Sequence, residues 1–143
     1  MAQDRSQELE IHPGISIGVS EAGAWVVKAG DERFPLKDID DFYRAWLLLQ
    51  RPFVDAKAAL DRITTGASAA GPFPIWMLVG STLKAASTHW TDVAMTWLPY
   101  LTTMEKASLK NLLIETRDSR WASQKSRQMA GKYVNEIERY GQT

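Results

Sequence analysis

The chain has no cysteine and only two histidines. That excludes disulfides, thiolate zinc sites and thiol nucleophiles together. His12 and His89 lie far apart, with no His-x-x-x-His pair and no acidic loop of calcium-binding spacing, so the sequence offers neither a zinc nor a calcium set. The only glycine-rich stretch, Gly66 to Gly71, is followed by Pro72 rather than Lys-Ser or Lys-Thr, which excludes a P-loop. No Gly-x-Ser-x-Gly elbow surrounds any serine. The first ten residues, MAQDRSQELE, lack a basic start and an apolar core, so no secretory signal is expected. The longest apolar run, Phe73 to Leu83, is interrupted by Pro74 and Gly80 and falls short of a membrane span. A soluble, cytoplasmic protein without metal or cofactor is the expectation.

What is present is enough apolar residue, 45% over 143 positions, for one globular domain spanning 1–143. The expected class is α+β. A meander of three to four short antiparallel strands over about 9–37 precedes five to six helices over about 38–140, with a flexible loop at 66–74. Ile15, Ile17 and Val19 alternate with Ser16, Gly18 and Ser20, the period of a strand with one apolar face. Pro13-Gly14 suits a type II turn, and Pro35 marks an edge strand.

Helices take over at Asp38, the expected N-cap, with Asp40 and Asp41 in the first turn. Ile39, Phe42, Trp46 and Leu49 then fall on one helical face. Pro52 starts a second helix, with Val54, Ala58 and Leu60 expected inward. Beyond the loop, helices are expected over Ile75–Ser87 and from Thr91 to about Leu98. Thr102 and Glu105 form a capping-box pattern ahead of Leu109, Leu112 and Leu113. Asp118 or Ser119 is the expected cap of a last long helix, whose stripe is Ala130, Tyr133, Ile137 and Tyr140.

One catalytic pattern merits weighing. His89 and Asp92 could form an oriented base beside Ser87 or Thr88 as nucleophile. The competing reading makes Thr91 or Asp92 a helix cap and His89 a loop residue, and it is preferred, because no Gly-x-Ser-x-Gly elbow surrounds either hydroxyl. Asp38 and Asp41 could likewise hold a magnesium ion, but acids at a helix start satisfy the same pattern without one.

Charge and aromatics carry more. The seventeen basic and seventeen acidic residues balance overall, yet they are unevenly spread. Residues 1–65 hold eight basic and eleven acidic side chains, whereas 106–143 hold eight basic and four acidic. Six tryptophans are present; Trp25, Trp46, Trp76 and Trp97 fall on faces expected to be core. Trp90 and Trp121 sit at polar junctions, Trp121 next to Arg120, and such Trp-Arg neighbours have the composition of a binding hot spot.

By elimination, the expected function is a non-catalytic protein-binding module, in concrete form a bacterial-type immunity or inhibitor protein that neutralises a cognate toxin. Its expected contact residues are Asp38, Asp40, Asp41, Trp90, Arg117, Arg120, Trp121 and Arg127, with no catalytic or metal-binding set. The alternative is a small-molecule binder or small enzyme with a pocket between sheet and helices, walled by His89, Asp92 or Tyr100. A nucleic-acid binder using the basic C-terminal helix comes third.

Overall fold

The structure is a computed structural model and describes residues 8–66 and 71–141. The chain falls into two compact units, 1–74 and 75–143.

The first unit is an antiparallel four-stranded meander with its helical cover. Strands β1 (Glu8–His12), β2 (Ile15–Val19), β3 (Trp25–Ala29) and β4 (Glu32–Pro35) pair in chain order. The turns follow from their glycines. Gly14 takes φ +82° behind Pro13, as the third residue of a type II turn requires. Gly30 takes φ +62° in the two-residue link from Ala29 to Glu32, as the first central residue of a II′ turn requires. A type II turn twists a hairpin less well than the primed types, and the register slips at that point, between Glu10 and His12. Leu9, Ile17, Val27 and Phe34 stand opposite one another across all four strands. The other face of the sheet carries Glu8 and Lys28, joined as an ion pair. Val26 on that same face is buried too, so the centre of the sheet is apolar on both sides, not on one as the alternation suggested.

The cover begins with a helical segment over Ile39–Gln50 that is wound as a 3₁₀ helix. Runs of that length are uncommon, because i to i+3 bonding is poorer than the α pattern. Residues three apart eclipse in it, so the buried stripe is Phe42, Ala45 and Leu48, with Leu49 beside it. The expected α-type face of Ile39, Phe42, Trp46 and Leu49 is thereby corrected: Trp46 is only half-buried. Helix α1 (Phe53–Gly66) follows directly after Pro52; Leu60 points inward as expected, whereas Val54 and Ala58 do not. Ala56, Ala59, Leu60 and Ile63 point inward, while Ala58 is exposed and Val54 is 65% exposed. The cause is the helical period: Ala58 and Leu60, two residues apart, lie on opposite sides of an α-helix, whereas Ala56, Ala59, Leu60 and Ile63 share one face.

Of the loop expected at 66–74, residues 67–70 lie outside the described residues and Gly66 closes α1. Its far end is fixed. The Trp25 Nε1–H donates to the Gly71 carbonyl at 3.0 Å, and the Phe73 ring lies edge-on to Trp25 at 5.0 Å and to Phe42 at 5.8 Å. Phe73 therefore belongs to the core of the first unit.

The second unit is entirely helical among its described residues. It comprises α2 (Ile75–Lys84), α3 (Thr88–Met95), a 3₁₀ turn at Leu98–Tyr100, α4 (Thr103–Ser108), α5 (Lys110–Arg117) and α6 (Gln124–Gly141). Leu78, Trp97, Leu98, Leu109, Leu113, Ala130 and Val134 are essentially inaccessible and form its core. The Thr102–Glu105 capping box is present, with Glu105 N–H donating to Thr102 Oγ1 at 3.1 Å and Thr102 N–H to Glu105 Oε1 at 2.8 Å. The helix it opens is shorter than expected. It ends at Ser108, and Leu109, at φ −96° and ψ 2°, joins it to a separate α5. Leu109 and Leu113, four residues apart, both enter the core, while Met104 on α4 stays 82% exposed. Helix α5 runs antiparallel to α6: Lys110 Nζ lies 3.6 Å from Glu138 at one end, and the Arg117 stem packs on Gly131 at the other. No helix among the described residues is long and apolar enough to cross a membrane.

Candidate functional site

The α2–α3 corner determines where the polar residues of the second unit go. Helix α2 ends in a Schellman arrangement: Ala86 N–H bonds the Leu83 carbonyl, Ser87 N–H bonds the Thr82 carbonyl, and Ala86 adopts φ +57°. Ser87 then opens α3, accepting the Trp90 N–H on its Oγ. This corrects the expected cap at Thr91 or Asp92 and the expected helix ends on either side. Thr91 is buried and its hydroxyl donates to the Thr82 carbonyl at 3.1 Å, tying the corner shut. His89 lies in the first turn of α3, exposed, its ring edge-on to Trp90 at 5.1 Å.

Asp92, released from any capping role, reaches α6. Its Oδ1 accepts the Ser123 hydroxyl at 2.5 Å and the Ser126 hydroxyl at 2.6 Å. Ser123 is also the residue that caps α6, accepting the Ser126 N–H at 3.1 Å. The expected cap at Asp118 or Ser119 is thus corrected. Ser119 Oγ accepts the Ala122 N–H within the preceding turn, and Asp118 closes α5. The Ser123 bond, then the Ser126 bond, hold the Asp92 carboxyl below its ordinary range; the charges of His89 and Lys125 act in the same direction and burial against it.

This chemistry does not make a nucleophile. A carboxylate with a depressed pKa is a weak base, so it holds the two serine hydroxyls without activating them. The earlier candidates are engaged elsewhere, Ser87 as a cap and Thr88 through a 2.6 Å bond from its Oγ1 to the Trp121 carbonyl. Sequence reasoning missed Ser123 and Ser126. The available signal was Ser126 itself, a polar residue interrupting the buried stripe of α6; it is 1% exposed, which a serine tolerates only with a partner.

Beside the cluster runs a groove of about 470 Å³, lined by Asp92, Met95, Thr96, Pro99, Lys125 and Met129 together with the two serines. Two methionines and a proline give it an apolar floor, and the Asp92–Ser123–Ser126 bonds fix its two walls, α3 and α6, to each other. Of the three polar residues expected to wall a pocket, Asp92 alone lines this one. Tyr100 is more than half exposed and His89 is solvated.

Of the expected contact residues of the second unit, Trp90 and Trp121 are both half-buried, and the Thr88–Trp121 bond ties the start of α3 to the turn before α6. Arg120 is exposed; Arg127, on the first turns of α6, is half-buried with its Nε enclosed and without a hydrogen-bond partner. Arg117 is occupied, with Nε and Nη2 donating to the two oxygens of Asp118 at 2.9 and 3.1 Å, a pairing that holds the Asp118 carboxyl low.

The acidic residues of the first unit serve its fold. Asp38 is the N-cap of the 3₁₀ segment, as expected. Asp41 accepts the Asp38 N–H at 2.8 Å and the Lys37 N–H at 3.0 Å, which depresses its pKa in that order. Asp38 and Asp40 remain exposed on the surface. Among the described residues no group of three or more His, Asp or Glu side chains gathers as a metal site would require.

The class these features define is an α+β protein with a strand meander, a helical unit and an apolar groove between α3 and α6. No protein-family model matches the chain, and neither a curated protein nor a solved structure is significantly similar to it.

Proposed function

We propose that the chain is a non-catalytic protein-binding module, and that the groove between α3 and α6 receives apolar side chains of the partner. One observation carries this reading: the groove floor is Met95, Met129 and Pro99, and its carboxylate and hydroxyls are already bonded to one another. Methionine is unbranched and polarizable, so it adapts to apolar side chains of different shape. Trp90 and Trp121, within two positions in sequence of the groove residues Asp92 and Ser123, are of a residue type that dominates binding energy at protein interfaces. The more specific form of the proposal is an immunity or inhibitor protein acting on a toxin.

The test is affinity capture with the native chain and with Met129→Glu, which places a charge on the groove floor. A single stoichiometric partner, retained by the native chain and lost by the variant at unchanged circular dichroism, is the expected result. Expression of that partner alone should then arrest growth if the inhibitor form holds. Equal retention by both chains, or none by either, would overturn the groove reading.

A second reading draws on the groove volume, which falls within the roughly 300–1,000 Å³ usual for small-molecule sites. Native mass spectrometry of the purified protein decides it: a bound metabolite, displaced in Met129→Glu, would make the groove a ligand pocket.

A further inference from the structure

We propose that the partner seats a lysine side chain in the groove between α3 and α6, its ammonium on the Asp92 carboxylate and its aliphatic stem along Met95, Pro99 and Met129. The inference rests on the protein-binding reading and names the side chain that the groove receives.

The hydrogen-bond inventory of the groove is the first argument. Three hydroxyls line it, and each already donates its proton: Ser123 and Ser126 to Asp92 Oδ1, and Thr96 to the Val93 carbonyl at 2.7 Å. Two donors fill the two lone pairs of Oδ1. The other oxygen, Oδ2, accepts no hydrogen bond among the described residues, and no Lys, Arg or His nitrogen there lies within ion-pair distance of the carboxylate. Asp92 is exposed and lines the groove, so its carboxylate is open to an incoming donor. The two serine bonds also hold the carboxyl below its ordinary range, which keeps it charged at any physiological pH. A wall whose hydroxyl protons are all engaged and whose carboxylate has an oxygen to spare recognises a cation.

The floor and the single free oxygen narrow that cation to lysine. A lysine stem lies along apolar surface while its head stays at the water edge, and here the apolar floor and the exposed carboxylate bound one groove. The guanidinium fork of arginine asks for two parallel acceptors, as Arg117 finds on the two oxygens of Asp118. Asp92 has only one oxygen to give, which suits the compact ammonium with its rotatable donors.

Lys125 decides between a basic and an acidic occupant. It lines the same groove, exposed, and its charge acts on Asp92, as does that of His89, although neither is bonded to it. An acidic group drawn to Lys125 would sit beside the fixed Asp92 charge and against hydroxyls with no proton left to donate. A lysine of the partner meets a carboxylate already held in place by two bonds, and Lys125 acts only as its competitor.

The experiment is titration of the full chain with the acetylated, amidated peptide Gly-Leu-Lys-Leu-Gly, with its counterparts carrying norleucine, arginine or glutamate at the centre, and with n-butylamine. Backbone amide shifts and calorimetry are the readouts. The lysine peptide should perturb residues 92–99 and 123–129 and bind about fivefold more tightly than the norleucine peptide, with the advantage fading in added salt. Asp92→Asn, whose side-chain oxygen can still accept both serine hydroxyls, should abolish that advantage. Lys125→Ala, at an exposed position, should raise the affinity of the lysine peptide about twofold, and it serves as the test if the Asp92 variant folds poorly. Equal binding of the lysine and norleucine peptides would overturn the inference and leave the groove reading standing. Tighter binding of the arginine or glutamate peptide, weaker binding by Lys125→Ala, or no shift in the groove with the lysine peptide would also overturn it. Binding of n-butylamine as tight as that of the lysine peptide would overturn it in favour of a free amine.

Discussion

Asp92 illustrates how one side chain can be legible in type and illegible in role. The sequence places it three residues after His89, a spacing that suggests either a dyad or a cap. It is neither, because Ser87 already caps α3 and because the partners of Asp92 come from α6, more than thirty positions away. No local rule reaches that far. Its folded-state pKa is depressed, so its contribution to stability is fully present above the ordinary carboxylate range and lost as pH falls through the depressed value. Asp92→Ala should therefore remove part of the acid limb of the stability curve, seen as a smaller loss of urea stability between neutral and acid pH than in the native chain. At neutral pH the same variant leaves the enclosed Ser126 hydroxyl without its acceptor, at a cost of about 1–3 kcal/mol. Unchanged stability at both pH values would mean the α3–α6 contact does not depend on this carboxylate.

Elements were easier to foresee than their phases. The strands were readable because alternation of Ile15, Ile17 and Val19 has a single interpretation, and because Gly14 and Gly30 occupy turn positions that demand positive φ. The first helical segment was readable as helix but not as 3₁₀. Phe42, Ala45 and Leu48 carry a period of three, yet Trp46 draws the eye to a period nearer 3.6. Because Ala45 is wholly buried on the 3₁₀ stripe, Ala45→Leu should cost roughly 1–3 kcal/mol in chemical denaturation, as overpacked cores do. A neutral result would place Ala45 off that stripe. The α2–α3 corner has the opposite character: its left-handed residue is Ala86, where a glycine is the usual choice. Ala86→Gly should raise stability by about 1 kcal/mol, since a Cβ in that conformation carries a steric penalty that glycine lacks. A fall in the urea midpoint would contradict the left-handed assignment.

At the scale of the whole molecule, the balanced net charge conceals an uneven distribution, acidic over residues 1–65 and basic over 106–143. If a lysine of the partner enters the groove, association should depend selectively on the charges beside Asp92. Lys125→Glu should speed partner association about fivefold at low salt, with the difference shrinking as ionic strength rises, whereas Asp40→Lys should leave the rate within a factor of about two. Stopped-flow measurements over a salt series would show this; equal effects from the two reversals would place the contact elsewhere.

The sequence by itself determined the order of the elements, the turn residues that join them, the capping box at Thr102 and part of the core, though Trp46, Trp76, Val54, Ala58 and Tyr140, expected inward, stay half-buried or exposed. These depend on periodicity and on backbone preferences that act over a few residues. Only the tertiary structure decided which polar residues meet. Ser123 and Ser126 converge on Asp92 because α3 and α6 pack side by side, and Phe73 joins the first core, where its ring meets Trp25 and Phe42. Such pairings depend on how helices are placed in space, and that placement is fixed by the packed core as a whole, not by any window of sequence.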